Sequence, residues 1–310
     1  MRVAALGRTH WLLDSVASLV AAGHEIVLVA TASAAPEYRV DEQTFEALGR
    51  DLGVPFLSDV RLEEHLDVIR ACGAEVAVSV NWPTLVPRDV LDAFPLGVVN
   101  AHAGDLPRFR GNAAPNWAII TGEPQVAATL HLMDEGLDSG PILARRTHPL
   151  EEDTYIGDVY AFLDEAFPAL FVEVVGGLAD RSLEAVPQPA DPSLSLRCLP
   201  RRPQDSELDW ALPARQLARI VRASAEPFAG AFSTLDGTRL TVWRARAEEP
   251  PGLLLGVAGQ VVERRSESGE VTVLTGEGVL VLGEVELDGR RVPATDVLGS
   301  TRLRLERAGG

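Results

Sequence analysis

The order of apolar runs in the first hundred residues limits the possible fold more than any other feature of this sequence. The short β-rich runs RVAALG and EIVLVAT flank HWLLDSVASLVAAGH, in which apolar residues recur at helical spacing. The same order continues with the helix EQTFEALGRDLG, the strand VPFL, the helix LEEHLDVIRACG and the strands AEVAVSV and GVVNA. Strands that alternate with helices predict a doubly wound, mainly parallel α/β sheet, with ligands bound beyond the carboxyl ends of its strands.

The second half of the chain shows a different organisation. A helix is predicted from Tyr155 to Leu178, with a kink or a break at Pro168. Residues 187–203 contain five prolines and almost no periodicity, which predicts a linker. The helix ARQLARIVRAS and short strands with Asp-Gly and Ser-Gly turns follow, and they predict a small barrel. The predicted domains are therefore residues 1–186 and 204–310.

Composition places the chain among globular proteins. Of its 310 residues, 46% are apolar and 24% are charged. Apolar runs stay well below the ~20 residues of a membrane-spanning helix, and Met1 leads into RVAALG without a leader pattern, so we expect a cytoplasmic protein with no membrane partner. Cys72 and Cys198 lack a CxxC motif or a neighbouring histidine, so we expect neither a disulfide nor a metal site.

Charge is distributed unevenly along the chain. The first 200 residues hold 13 arginines against 29 acidic residues, whereas the rest holds 15 arginines against 16. An acidic surface repels phosphate backbones within a Debye length of about 8–10 Å. Net charge therefore argues against a large nucleic-acid partner, although a local basic groove would override it.

The first strand-to-helix turn tests for a dinucleotide site. ALGRTHW offers only Gly7 where phosphate binding requires G-x-G-x-x-G, and the P-loop pattern is also missing from the sequence. We therefore expect neither NAD or FAD binding nor P-loop ATP chemistry.

Two polar side chains end one of the predicted strands. Asn100 and His102 are two residues apart, so they project to the same side of the sheet. An imidazole transfers protons near neutral pH, and a carboxamide donates to a developing oxyanion. The later segment HLMDEGLDSGPIL places Asp134 and Asp138 in a glycine-rich loop between two β-like runs. If this loop folds over the same edge, Asp138 orients His102, and the three residues form an acyl-transfer site without a protein nucleophile.

Each of these residues also has a purely structural explanation. A histidine at a strand end often serves only in packing, and Asn100 could cap a turn. Asp134 with Gly136 fits ordinary loop chemistry. The residues alone leave both interpretations open.

Two ordered motifs resemble one enzyme family. NAHAGDLPRFRGNAAPNWAI, followed by TLHLMDEGLDSGPIL, is similar to the signature of the 10-formyltetrahydrofolate-dependent formyltransferases. This family includes methionyl-tRNA formyltransferases, sugar N-formyltransferases and, more distantly, glycinamide ribonucleotide formyltransferases. RRPQDSELDWALPARQLARIVRAS and the residues after it resemble the start of the OB-like C-terminal domain of the first two groups. The resemblance implies a Rossmann-like formyltransferase domain followed by a smaller OB-like barrel.

The resemblance also implies roles for individual residues. Asn100, His102 and Asp138 become the catalytic trio, and 10-formyltetrahydrofolate becomes the co-substrate, with no metal in the reaction. The expected folate-binding residues are Asn81, Trp82, Leu85, Pro107, Asp134 and Gly136.

One departure from the family pattern lies beside the trio. Relatives usually carry Ser-Leu-Leu-Pro where this chain has Gly104, Asp105, Leu106 and Pro107. Asp105 either binds a cationic acceptor or faces solvent. The expected substrate-binding residues are Asp105, Arg108, Arg110 and Asn116. The two arginines meet acceptor phosphates or form structural salt bridges, and both alternatives stay open.

The acceptor is predicted from two local features. Methionyl-tRNA formyltransferases generally carry a basic, glycine-rich insertion after the second strand, whereas the corresponding stretch here contains only Arg39 and Arg50 as basic residues. NAAPNWAI is closer to the Ala-Pro-x-Asn-Trp pattern of some sugar enzymes than to Ala-Pro-Ile-Gln. We therefore expect a small amine, foremost an amino sugar on a nucleotide, and do not expect tRNA.

Three alternatives to this acceptor are retained. They are methionyl-tRNA, an amino-acid-like metabolite, and water, which would make the chain a 10-formyltetrahydrofolate hydrolase. The sequence also leaves open whether the chain forms a homodimer.

Overall fold

The structure is a computed structural model that describes residues 1–35, 38–250 and 252–307. The chain forms two compact units, each assembled from separate segments. The first unit comprises Met1–Ala114, Gln125–His148 and Tyr160–Leu199, and the second comprises Pro115–Pro124, Pro149–Val159 and Pro200–Gly310. This division differs from the predicted boundaries, because two short internal segments join the second unit and most of the predicted linker joins the first.

A seven-stranded sheet forms the centre of the first unit. Its strands run in the order β3-β2-β1-β4-β5-β7-β8. The five strands from β3 to β5 are parallel, and β7 is antiparallel to β5. The strands are β1 Arg2–Gly7, β2 Glu25–Thr31, β3 Phe56–Ser58, β4 Val76–Val80, β5 Val98–His102, β7 Gln125–Leu132 and β8 Ile142–Pro149. This arrangement confirms the doubly wound, mainly parallel sheet.

Within the described residues, six helices accompany these strands, and four of them correspond to the segments predicted as helical, HWLLDSVASLVAAGH, EQTFEALGRDLG, LEEHLDVIRACG and residues 155–178. The six helices are α1 His10–Ala21, α2 Glu42–Leu52, α3 Leu66–Ala71, α4 Arg88–Leu91, α5 Ala114–Thr121 and α6 Ile156–Ala179. Strands β4 and β5 are buried along their whole length, as expected when helices cover both faces of a parallel sheet.

Helix α6 continues through Pro168 without a break. A proline inside a helix removes one hydrogen bond and costs about 3 kcal/mol or more. Leu163, Phe167 and Phe171 on the same helix are almost fully buried, and each contributes about 1.5–3 kcal/mol through burial. Apolar packing therefore offsets the lost hydrogen bond.

The segment predicted as a linker forms regular contacts. Strand β6 (Arg110–Gly111) pairs in parallel with β9 (Arg197–Cys198). The backbone N–H groups of Arg110 and Asn112 donate to the carbonyls of Leu196 and Cys198, at 2.9 and 3.1 Å. The prolines remove periodicity, but the residues between them still hydrogen bond.

The second unit contains an antiparallel sheet, also of seven strands, in the order β12-β13-β14-β11-β10-β16, with β15 paired to β14. Its strands are β10 Ala231–Leu235, β11 Thr238–Glu248, β12 Val261–Arg265, β13 Glu270–Leu274, β14 Val279–Leu287, β15 Arg290–Pro293 and β16 Leu305–Glu306. Helices α7 (Ala214–Ser224) and α8 (Ala294–Val297) belong to this unit. These elements confirm a second, β-rich domain, whereas its closure into an OB-type barrel stays a prediction.

Two further features concern the expected partners. Across the described ranges, none of the helices combines the length and apolarity needed to cross a membrane. Among the same residues, we find no group of three or more histidine, cysteine or acidic side chains that could hold a metal ion. Cys72 and Cys198 are buried free thiols.

Candidate active site

The end of strand β5 carries the two polar residues that the sequence singled out. Val98 and Val99 are completely buried and fix the strand between β4 and β7. Asn100 and His102 are also buried, at 7% and 8% exposure, although both are polar. Buried polar groups need hydrogen-bond partners, so the neighbours of these side chains define the site.

Asn100 is paired with a histidine that the sequence analysis did not select. On the adjacent strand β7, His131 stands opposite Asn100 and is only 1% exposed. Its Nδ1 lies 2.8 Å from the Leu132 carbonyl, which accepts but cannot donate, so Nδ1 carries a hydrogen. Its Nε2 lies 3.2 Å from the Asn100 Nδ2 group. The only sequence signal was that His131 opens the motif HLMDEGLDSG.

The ring of His102 is held from both sides. Its Nε2 donates to the carbonyl of Phe109 at 2.7 Å, and its Nδ1 lies 3.5 Å from the Oδ2 atom of Asp138. Burial lowers the pKa of His102 and outweighs the opposing charge of Asp138. The neutral imidazole is therefore favoured, with a proton on Nε2 and a lone pair on Nδ1.

Asp138 approaches from the loop between β7 and β8. Its Oδ2 accepts from the backbone N–H of Gly111 at 2.8 Å, and its Oδ1 lies 3.5 Å from Nε2 of His131. Burial opposes ionisation of Asp138, but pairing with His102 and His131 and the Gly111 hydrogen bond hold its pKa below the usual range. The structure thus brings Asn100, His102 and Asp138 together around His131, and their catalytic role stays a prediction.

Gly104 leaves the space that the His102 contact needs. A Cβ atom at this position would lie 2.5 Å from Nε2 of His102 and 2.6 Å from the Phe109 oxygen. Both atoms belong to the same hydrogen bond. The glycine that replaces the usual family residue therefore preserves this bond.

Asp105 forms intramolecular contacts that the sequence did not indicate. Its carboxylate accepts from Nη1 of Arg145 at 2.5 Å and from Nε2 of Gln125 at 2.8 Å. Its side chain is half-buried, and its contact with a cationic acceptor stays a prediction. Arg145 is forty residues away, so local spacing gave no signal of this pair.

Asn116 has a structural contact. It is 2% exposed, and its Nδ2 donates to the carbonyl of Ala223 within the second unit at 2.8 Å. Its contact with the acceptor stays a prediction.

The two arginines differ in their surroundings. Arg108 is exposed, and its guanidinium lies 5.4 Å from the centre of the Phe109 ring. Arg110 is half-buried and donates from Nε and Nη2 to Oε1 of Gln188, at 3.2 and 2.6 Å. Arg110 is thus held by a neutral amide, and within residues 1–35, 38–250 and 252–307 no salt bridge to it is found. The contacts of both arginines with acceptor phosphates stay predictions.

The residues expected to bind folate are spread along the carboxyl edge and the β7–β8 loop. Asn81 follows β4 in a left-handed conformation, and its Nδ2 donates to the Tyr38 hydroxyl at 2.9 Å. Trp82 packs against the core, Pro107 is half-buried, and Leu85 is 57% exposed.

Asp134 shapes the loop itself. Its Oδ1 accepts from the Gly136 N–H at 3.0 Å and from the Ser139 hydroxyl at 2.7 Å. The folate contacts of Asp134 and Gly136, like those of the other four residues, stay predictions.

A surface cavity of about 390 Å³ lies next to this loop. Its apolar lining includes Leu91, Phe94 and Met133, and its polar lining includes Asp134 and Glu135. This volume is within the range of small-molecule sites. Of the six residues expected to bind folate, Asp134 contributes to the lining.

The fold and the site define an α/β enzyme whose polar cluster lies at the carboxyl edge of its sheet. Residues 1–175 match the formyl transferase family, and residues 201–302 match the formyl transferase C-terminal domain. The chain therefore belongs to the formyl transferase family and is an N-formyltransferase. This membership supports formyl transfer from a formyl-folate.

Individual relatives refine this picture. The methionyl-tRNA formyltransferase of Solibacter usitatus (strain Ellin6076) is 31% identical over 98% of this chain and 96% of its own. An N-formyltransferase from Helicobacter canadensis, solved with folinic acid and dTDP-3-aminofucose, covers 90% of this chain and 97% of its own at 13% identity and a TM-score of 0.66. HypX from Aquifex aeolicus covers 96% of this chain at 22% identity and a TM-score of 0.62, but this chain spans only 47% of HypX.

The relatives overturn one prediction. We did not expect tRNA as a partner, yet the Solibacter relative is named a methionyl-tRNA formyltransferase and matches nearly the whole chain. The prediction was wrong. It relied on the missing basic insertion, on the Ala-Pro-x-Asn-Trp pattern and on net charge, and net charge sums over the whole surface and does not report local binding surfaces.

Proposed function

We propose that this enzyme transfers the formyl group of 10-formyltetrahydrofolate to a primary amine, with Asn100, His102 and Asp138 as its catalytic residues. The observation that carries this proposal is the buried cluster at the end of β5. In this cluster Asn100 contacts His131, His131 lies next to Asp138, and Asp138 lies next to His102. A cluster of this kind stabilises charge that develops during acyl transfer, because water does not screen it.

The reaction proceeds by direct attack of the amine on the formyl carbon. The new carbon–nitrogen bond forms, and a tetrahedral intermediate with a negatively charged oxygen results. Asn100 Nδ2 has two N–H bonds, of which one is directed to His131, and the other donates to this oxygen. Collapse then breaks the bond between the formyl carbon and N10 of the folate.

One proton moves during the reaction, from the attacking amine to N10 of the departing folate. Nδ1 of His102 receives it, because the neutral ring has its lone pair there and faces the Asp138 carboxylate at 3.5 Å. Asp138 stabilises the imidazolium that forms, and the same proton then passes to N10.

Methionyl-tRNA is the first candidate acceptor. This assignment is supported by the 31% identity to the Solibacter enzyme over 98% of the chain. A nucleotide-linked amino sugar is the second candidate, supported by the dTDP-3-aminofucose bound to the Helicobacter relative. The Ala-Pro-x-Asn-Trp pattern is weaker support for an amino-sugar acceptor, since the Asn116 side chain already donates to the Ala223 carbonyl.

The test is a competition among acceptors with purified enzyme and 10-formyltetrahydrofolate. The panel contains charged initiator tRNA, nucleotide-linked amino sugars and amino-acid metabolites, and a reaction without acceptor measures formate release. We expect formylated methionyl-tRNA as the preferred product. Preferred formylation of an amino sugar would transfer the assignment to the second candidate, and formate release without any transfer would refute the proposal.

A further inference from the structure

Gln188 lies in the proline-rich segment that the sequence marked as a linker, yet its side chain reaches the candidate active site. Nε2 donates to the backbone carbonyl of Asp138 at 2.9 Å and to that of Gly140 at 2.8 Å. Oε1 accepts two hydrogen bonds from Arg110. Both ends of one amide therefore connect the β7–β8 loop with strand β6.

The two segments joined by Gln188 are the ones that contact His102. The Phe109 carbonyl, immediately before Arg110, accepts from Nε2 of His102, and the Asp138 carboxylate faces its Nδ1. Gly111, immediately after Arg110, donates to that carboxylate. The orientation of the imidazole thus depends on the distance between the two segments.

Both segments contain a residue in an unfavourable backbone conformation. Phe109 has φ +58° and Asp138 has φ +49°, in the left-handed region that residues other than glycine seldom adopt. Such conformations persist only where the surrounding structure holds them. Gln188 bonds directly to the carbonyl of one of these residues and to the side chain that follows the other.

We propose that Gln188 is a positioning residue for formyl transfer, which fixes Asp138 and the Phe109 carbonyl on either side of the His102 ring. The amide has the required chemistry, because its two N–H bonds serve the two loop carbonyls and its oxygen serves Arg110. This inference rests on the proposed function, since it assigns Gln188 a part in the same reaction.

The test compares Gln188→Ala and Gln188→Glu with Gln43→Ala, a control at an exposed position on α2. Small misplacement of catalytic groups lowers turnover strongly, so we expect kcat of Gln188→Ala to fall by about 10-fold while KM for donor and acceptor stays within about 2-fold. Gln188→Glu keeps an oxygen that accepts from Arg110 but loses both N–H groups that donate to the loop carbonyls. We expect the same loss of kcat as for Gln188→Ala. Wild-type kcat in Gln188→Glu would show that the loop contacts are not needed and would overturn the proposal.

Hydrogen exchange of the folded protein provides a readout that does not depend on activity. We expect backbone amides in residues 109–112 and 136–140 of Gln188→Ala to exchange about 10-fold faster than in wild type. In wild type, local opening of these segments has to break the hydrogen bonds of the Gln188 side chain, and these bonds are missing in the variant. Other segments and the Gln43→Ala control should match wild type.

The outcomes separate the two hypotheses. Unchanged exchange in both segments, or faster exchange throughout the protein, would overturn the positioning role. A wild-type enzyme that forms no formylated product with any acceptor would refute the proposed function, while the exchange result would still decide whether Gln188 holds these segments.

Discussion

Ionic side chains are used in contrasting ways in the two units of this enzyme. In the first unit, Asp138 and the histidines form a buried cluster at a strand end. In the second unit, Arg246, Arg265 and Glu248 form part of a solvent-exposed network across a β-sheet. Burial removes the screening by water, so each contact in the first arrangement is strong, whereas each contact in the second is worth little energy.

The largest effect expected from this comparison is loss of turnover when the buried amide is removed. Asn100→Ala deletes the proposed donor to the oxyanion, and such losses lower kcat by about 10²–10³-fold. Asn100→Asp keeps the size but replaces the donor by an acceptor, so it should be equally impaired. Steady-state formyl transfer measures both, and wild-type kcat in either variant would remove Asn100 from the mechanism.

A smaller effect is expected when the space around His102 is filled. In Gly104→Ala the new methyl group would meet both atoms of the bond from His102 to Phe109. Overpacking of this kind costs about 1–3 kcal/mol, and we expect the free energy of unfolding and kcat both to fall. Gly176→Ala in α6 is the matched control, because its Cβ has open space and alanine favours a helix. If the two variants unfold at the same denaturant concentration, the crowding argument fails.

Acid should weaken the first unit through His102. Its pKa is lowered in the folded state, so the unfolded chain binds the proton more readily. The contribution of His102 to the free energy of unfolding is fully present above the ordinary histidine pKa of about 6.5. It is lost as the pH falls from this value towards the lower pKa of the folded state. We expect the free energy of unfolding to decrease from pH 7 to pH 5, and His102→Gln to flatten this dependence. An identical pH dependence in His102→Gln and wild type would contradict the burial effect.

The smallest effect is expected for the exposed network. Arg265 contacts Glu248 at 2.8 Å and Glu263 at 3.0 Å, and all three residues are accessible to solvent. Exposed ion pairs contribute about 0.2–1 kcal/mol, so Arg265→Ala should lower the free energy of unfolding by less than about 1 kcal/mol and leave kcat unchanged. Chemical denaturation measures this change. A decrease in the free energy of unfolding as large as that of Gly104→Ala would show that burial does not explain the difference between the two regions.

Much of the fold could be predicted because it depends on local patterns. Strands β1, β2, β4 and β5 are apolar runs bounded by turns, and their alternation with helices specifies the parallel sheet. Asn100 and His102 were found because residues two apart on a strand share a face. The contact between His102 and Asp138 required only that the β7–β8 loop return to the same edge of the sheet.

The rest depends on contacts between residues that are distant in sequence. His131 is recognised only through the register of β5 with β7, and the partner of Asp105 comes from β8. Gln188 lies in a segment without periodicity, so its contacts were not visible in the sequence. Predictions from net charge failed for a related reason, because a sum over residues contains no spatial information.

The central claim is that the buried cluster at the end of β5 carries out formyl transfer, and Asp138→Asn tests it most directly. The substitution keeps the size of the side chain but removes the charge that faces Nδ1 of His102. With enzyme in excess over 10-formyltetrahydrofolate, the rate of a single turnover reports the chemical step. Because we propose that Asp138 stabilises the protonated His102 ring during proton transfer, we predict a rate at least about 100-fold below wild type in a folded protein. A single-turnover rate equal to that of wild type would contradict the account.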